Sequence, residues 1–312
     1  MEESKRIVLP LGDVSLSKKL GVYYIDMRPA EIHYTHNIWQ GGFDEKGVPM
    51  CGDGKGNLVY FPINIAQYGF ILHAQYLENQ RSQLMDRLLN CIAKLEELKT
   101  SRDGYTVWYH HNYESKYKIQ PPWASAMAQG EVISFYLRLY QVTNNESLLQ
   151  TSQEAYEFLS IDYSQGGVRR YDENGNLWLE EYPSEPPSYV LNGFIYTIFG
   201  LYDLYRVTGR SDVKADIDEC IITLKLNLHR FDSGYWSDYD LQKKELVRYY
   251  YQKNVHVPQL AVLYGLTNER VFKTYKEKWQ KTIHPLNFLL VQVMYRVRPR
   301  WQKLFKLWEN KK

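Results

Sequence analysis

The chain has 312 residues, 44% of them hydrophobic, enough for a sizeable core in one large domain or two ordinary ones. Its 38 basic and 36 acidic side chains leave a net charge of +2, which excludes the field of a general nucleic-acid binder. Three cysteines (Cys51, Cys91, Cys220) lie far apart and fit no zinc or CxxC spacing, so a reducing compartment is expected.

Residues 1–60 open on "MEESKRIVLPLGDVSLSKK", without a continuous apolar stretch, so no secretory signal is expected. No run of about 18 apolar residues exists to span a membrane. The rest of this segment is rich in glycine and aromatics, and reads as strand and loop packed over the remainder of the chain rather than as an independent domain. "CGDGKGN" (51–57) matches no Walker pattern and reads as a flexible turn. His33 with His36, and His110 with His111, lack a carboxylate at ligand spacing, so neither a metal nor another cofactor is expected.

From residue 61 to 285 one pattern repeats. "INIAQYGFILHAQYL" (63–77), "SAMAQGEVISFYLRLYQVT" (125–143), "VLNGFIYTIFGLYDLYRVTG" (190–209) and "HVPQLAVLYGLTN" (256–268) are apolar almost throughout. Each carries an early amide, at Gln67, Gln129, Asn192 and Gln259, which recur 62, 63 and 67 residues apart. Each precedes a more polar helical pattern; in 82–99, Leu84, Leu88, Cys91, Ile92 and Leu95 share one face at 3.6 spacing. Inner and outer helices are therefore expected in pairs, with Gly209 a C-terminal stop.

Strand-like excursions at 103–119, 167–183 and 233–252 each lead into an inner helix, and Asn174-Gly175 predicts a type I′ hairpin turn. The expected fold is mainly α: an incomplete (α/α) toroid with β-hairpins at one end rimming a cleft. Helix N-termini there favour anions. With 28 Tyr against 11 Phe and 8 Trp, the aromatics suit a groove that stacks on sugar rings, or simply half-buried positions.

One stretch stands out: "WLEEYPSEPPSYVLNGF" (178–194). Pro183, Pro186 and Pro187 exclude regular structure and stiffen the chain. In strand geometry Glu180 and Glu181 point to opposite faces, so only one is expected to reach a cleft. The residues alone fit either a solvated acidic turn or a rigid arm aiming an acid and a phenol.

The tail, 286–312, carries seven bases from Arg296 onward (Arg296, Arg298, Arg300, Lys303, Lys306, Lys311, Lys312) against one acid, Glu309. Trp301, Leu304, Phe305 and Trp308 fall on one helical face. A basic amphipathic helix of this kind suits a bilayer surface; closing the toroid or docking a partner are the alternatives.

"FPINIAQYGF", "WASAMAQGEVIS", "EEYPSEPPSYVLNGFIYTIFGLYDLY" and "GYWSDYDL" resemble the C-terminal domain of the D-glucuronyl C5-epimerase family, over roughly Tyr23 to Trp279. The resemblance implies an α/α toroid and conversion of glucuronate to iduronate within a heparan-type polysaccharide. Glu181 and Tyr182 match the family's catalytic acid and adjacent tyrosine, and Tyr239 a second catalytic tyrosine. A third follows in an Arg-x-x-Tyr pattern that Arg248 and Tyr251 fit, with Tyr249 and Tyr250 as rivals. His256 lies five residues after Tyr251, where four are expected. Gln242 stands where a basic residue is usual.

Trp123, Gln129, Arg169, Arg170, Asn192, Arg248 and His256 are the implied substrate contacts. Animal members add a β-rich N-terminal domain with a metal-binding role, which this shorter, bacterial-type chain lacks the length to supply. The implied partner is an acidic, uronate-containing polysaccharide and not nucleic acid, met in the cytoplasm at the inner face of the membrane; oligomerisation is left open. The alternatives are a lyase, which shares the first proton loss at C5, and a glycan-binding protein without catalysis.

Overall fold

A computed structural model describes residues 7–35, 41–53 and 55–309, with side chains to residue 301. Apolar and polar helices alternate: α1 (Pro62–Asn79) and α2 (Ser82–Leu98), α3 (Ala126–Thr143) and α4 (Glu146–Leu159), α5 (Leu191–Thr208) and α6 (Ser211–Asn227), α7 (Val257–Thr267) and α8 (Arg270–Lys281). A last helix, α9, spans Pro285–Glu309. The first member of each pair is enclosed: α3 buries every residue from Ala126 to Leu139. The second buries one stripe, which in α2 is Leu88, Cys91, Ile92 and Leu95.

The turn between partners is built the same way each time. Gln80, Asn144, Gly209 and Asn268 all adopt the left-handed conformation, and each N–H bonds a carbonyl of the preceding turn. Adjacent inner helices approach closely where glycine permits it. A Cβ on Gly200 of α5 would lie 2.4 Å from the Gly130 carbonyl oxygen of α3. This is the expected incomplete (α/α) toroid.

Between α7 and α1 the ring is filled by extended N-terminal chain rather than by another helix pair. Leu9 donates its N–H to Asn254 (3.0 Å), Val14 sits against Gly265 of α7, and Tyr23 stacks on Phe70 of α1 at 3.8 Å. The end of the toroid at the inner-helix C-termini is shut by a buried ion network: Arg138 pairs with Asp203 at 2.5 Å, and Arg206 bonds both Asp203 and the Tyr24 hydroxyl at 3.2 Å. The N-terminal ends of the inner helices therefore form the accessible end.

Three small sheets stand there or at the flank. β1 (Gly42–Phe43), β2 (Pro49–Gly52) and β3 (Leu58–Val59) form one; β4 (Lys99–Arg102), β5 (Tyr105–His110) and β6 (Trp123–Ala124) another. β7 (Arg169–Tyr171) pairs with β8 (Leu177–Leu179), with Tyr171 opposite Leu177.

Its turn is not type I′. Among residues 172–176 only Gly175 has positive φ, 76°. The Asp172 carboxylate accepts the N–H groups of Asn174 and Asn176 and so winds a wider turn. The third excursion forms no strand ladder. It is a bridged loop, Asp232 to Arg248: Asp238 pairs antiparallel with Leu246, Tyr239 donates to the Glu245 carbonyl (2.7 Å) and Val247 to that of Ser237 (3.1 Å), while the same loop also meets the proline arm, where Leu191 donates to the Tyr239 carbonyl (3.0 Å) and Leu241 to that of Ser188 (3.2 Å).

Candidate active site

The stitched loops bring the acid to the phenol. Ala126 N–H bonds the Glu180 carbonyl, and Glu180 N–H bonds Val168, which fixes the arm between α3 and the β7–β8 hairpin. Glu180 and Glu181 then diverge. Glu180 turns inward to hold the proline loop, accepting from the Ser188 hydroxyl at 2.7 Å and from Tyr189 N–H at 3.1 Å. Glu181 points toward the start of α5, where it accepts from the Tyr239 hydroxyl at 3.3 Å and faces the Asn192 amide at 3.5 Å. Gly193 permits this. A Cβ there would fall 2.1 Å from Glu181 Oε2, so the Asn-Gly pair at the helix start is a matter of clearance.

Aromatic rings pack round this centre. Tyr182 stacks on Tyr117 at 4.9 Å and tilts against Trp123 at 5.5 Å, while Tyr251 stands edge-on to Tyr239 at 6.0 Å. The Lys116 ammonium lies 4.3 Å from the centre of the Tyr239 ring. Lys116 also pairs with Asp240 (3.1 Å) and Glu245 (2.9 Å).

Burial pushes the Glu181 carboxyl up to about 7; hydrogen bonds from Tyr182 and Tyr239 and the Lys116 charge pull the other way. Burial, reinforced by the neighbouring Glu181, raises the phenols of Tyr182, Tyr239 and Tyr251 above their ordinary range. Near neutral pH the carboxyl thus exchanges protons and the phenols stay neutral.

A cavity of about 320 Å³ opens beside the cluster, lined by His33, Gln67, Met127, Tyr196, Arg248 and Tyr250 among others. Asn192 and Tyr251 belong to both cavity and cluster; Glu181 and Tyr239 lie one contact behind the lining, Glu181 against the Asn192 amide and Tyr239 against the Tyr251 ring. Arg248 is exposed at the mouth, and no carboxylate pairs with it among the described residues. Of its three neighbouring tyrosines, Tyr249 turns away onto Trp236 and Phe288. The extra residue before His256 is taken up by a π-helical turn, Gln252–His256.

Several expected substrate contacts lie elsewhere. Gln129 is fully buried; it accepts from Trp108 N–H and donates to the carbonyls of Thr106 and Ala155, so its amide is spent on holding β5 and α4. Arg169 pairs with Asp216 on outer helix α6. Arg170 points to the Glu180 side of the arm, bonding Glu185 (3.1 Å) and the Ser184 carbonyl (2.9 Å). His256 is buried; desolvation depresses its imidazole to about 3, and Nδ1 meets the Ser237 hydroxyl at 2.8 Å, steadying the Tyr239 loop from below.

Trp123 stacks on His110 at 4.3 Å and backs Tyr182. Gln242 is tied to Ser184 and Pro186. His36 and the face of Leu304, Phe305 and Trp308 lie outside the described side chains.

Sequence reasoning missed Lys116, Tyr117 and Glu131. The first two sit in the 103–119 excursion already assigned to the rim. Glu131 is a lone acid inside an apolar inner helix, fully buried and bonded by Gln67 at 3.1 Å. Burial raises its carboxyl well above the usual range.

Comparison with known proteins points the same way. Residues 99–281 match the family described as D-glucuronyl C5-epimerase C-terminus. The chain is 30% identical over 236 residues to a D-glucuronyl C5-epimerase of Caenorhabditis elegans; the match covers 70% of this chain and 38% of that protein. Among solved structures, cellobiose 2-epimerase from Spirochaeta thermophila superposes with a TM-score of 0.54 at 10% identity, covering 82% of this chain and 66% of that one. The enzyme of that name from Bacillus thermoamylovorans gives 0.52 at 14%, covering 81% and 69%. Identities this low speak for the toroid alone. The family match spans more than half of the sequence and includes the arm, the Tyr239 loop and the helix starts between them, so the chain belongs to the D-glucuronyl C5-epimerase C-terminus family.

Proposed function

We propose that the protein is a carbohydrate epimerase that inverts C5 of a uronate within an acidic polysaccharide, of heparosan type. The observation that carries this reading is a buried carboxyl poised near neutrality, hydrogen-bonded by a phenol at the edge of a cavity with an exposed arginine at its mouth. A general base is most effective when its pKa lies near the working pH, which favours Glu181 over any of the phenols.

In the proposed step, C5 gives its proton to the Tyr239 oxygen as the Tyr239 proton passes to the Glu181 carboxylate. Tyr251 donates its own proton to the opposite face of C5 and is left as tyrosinate. One negative charge moves from Glu181 to Tyr251, and solvent exchange resets both. Arg248 faces the uronate carboxylate, where charge grows as C5 is deprotonated. Asn192 and the Tyr182 ring orient the sugar.

The test is incubation of heparosan-like chains with the enzyme in deuterium oxide, read by NMR. The wild type is expected to incorporate deuterium at C5, and Tyr239→Phe to lose about a hundredfold or more in rate. Exchange in Tyr239→Phe at the wild-type rate refutes the assignment. An unsaturated uronate in place of exchange indicates elimination, and glycan binding without exchange indicates a non-catalytic protein.

The same reading sets the protein in the cytoplasm, on a capsule or envelope glycan at the inner face of the membrane. Among the described residues no helix is long and apolar enough to cross a membrane. Along α9, however, Leu286, Leu289, Leu290, Val293 and Trp301 are exposed, with Arg296 and Arg300 exposed nearby. That combination supports contact with an anionic bilayer.

A further inference from the structure

A second cavity, of about 240 Å³, lies between α9 and residues 244–248; Lys244, Glu245, Arg248, Tyr295, Arg298 and Pro299 form most of its wall. Arg248 lines both this cavity and the one beside Glu181, so the two are neighbours across a single side chain.

The wall is basic. Its one acid, Glu245, is paired with Lys116 at 2.9 Å. Arg298 is locked in place by two bonds to Asp238. The Arg248 guanidinium sits 5.4 Å from the centre of the Tyr295 ring. The Tyr295 hydroxyl is spent on the Val247 carbonyl at 2.6 Å, which leaves the ring as an apolar platform. Pro299, inside α9, also lines the cavity and supplies no backbone N–H of its own.

Cations beside a ring face make a set that recognises an acidic sugar. The volume is below the roughly 300 Å³ of pockets that hold drug-sized ligands, which suits one sugar unit. α9 begins after the stretch matched to the family ends at residue 281, so its side of the cavity lies outside that stretch, while residues 244–248 lie within it.

We propose that this cavity is a subsite for a second uronate of the same polysaccharide, the next acidic unit along the chain from the one whose C5 is inverted. The proposal rests on the epimerase reading and extends it. Two sites joined on one chain add affinity for long substrates through effective concentration.

The experiment compares heparosan-type oligosaccharides of increasing length on the wild type, Lys244→Gln and Lys244→Glu, reading KM from C5 deuterium exchange. In the wild type KM is expected to fall about three- to fivefold once a second uronate can reach the cavity; the fall shrinks in Lys244→Gln and disappears in Lys244→Glu. An equal fall in all three proteins overturns the subsite.

If the wild type exchanges no C5 proton on any oligosaccharide, the epimerase reading has failed, and the same series is read by calorimetric binding. A length-dependent gain in affinity that Lys244→Glu abolishes then supports the subsite. A gain that Lys244→Glu retains, or no gain at all, overturns it.

Discussion

Glu181→Gln separates the role of this acid in stability from its role in chemistry. Burial raises the carboxyl from 4.5 to about 7. Across that window the folded chain holds a proton that the unfolded chain has released. Folding therefore becomes less favourable as pH rises through the window, and no worse above it. At about 1.4 kcal/mol per pH unit the burden is roughly 3 kcal/mol at pH 8 and under about 1 kcal/mol at pH 5.

The glutamine is nearly isosteric, carries no charge and still offers an oxygen to Tyr239. Glu180 carries a similar shift but is present in both proteins, so it cancels. For a chain of this size each kcal/mol moves Tm by about 2 °C. Thermal unfolding followed by circular dichroism is expected to show the variant gaining about 4 °C more over wild type at pH 8 than at pH 5, with C5 exchange lost. The same difference in Tm at both pH values would mean that Glu181 is not a buried acid of raised pKa, and the proposed base would go with it.

Gly193→Ala sets a methyl group 2.1 Å from Glu181 Oε2, so the arm must move. Denaturant titration is expected to show a loss of about 1–3 kcal/mol together with lost C5 exchange; a variant with wild-type stability and activity contradicts the packing argument. Leu286→Ser with Leu289→Ser removes two of the exposed apolar side chains of α9. Co-sedimentation with phosphatidylserine vesicles is expected to fall about tenfold; undiminished binding removes the membrane contact.

The helices were legible because burial dictates their composition. A wholly enclosed helix such as α5 must be apolar throughout, and a half-exposed one such as α2 shows a stripe. The divergence of Glu180 from Glu181 followed from strand geometry alone. Which of the two was read as the site residue came from the family likeness, since paired acids near prolines have no signature of their own.

Other side chains were placed less well, for a common reason. Gln129, Arg169, Arg170 and His256 are polar residues at rim-like positions whose hydrogen bonds are consumed inside the protein, and partner choice of that kind is a tertiary matter. The third excursion, read as strand-like, folds back on itself through an Asp238–Leu246 bridge but forms no continuous ladder, and part of its backbone pairs with the proline arm. Lys116 gave no signal because it acts across more than a hundred residues of sequence.

The extended strand that plugs the ring has a bearing on how the molecule is made. Leu9 finds its partner 245 positions later, at Asn254. A segment made early must wait for one made 245 positions later before it can dock, and such distant closure is paid for late in folding. Leu9, Met27, Ala30 and His33 line the 320 Å³ hollow together with Arg248, Tyr250, Tyr251 and Val255. Helix pairs can therefore assemble in order as they appear, while the hollow itself comes into being only when the stretch around Leu9 meets the stretch around Asn254.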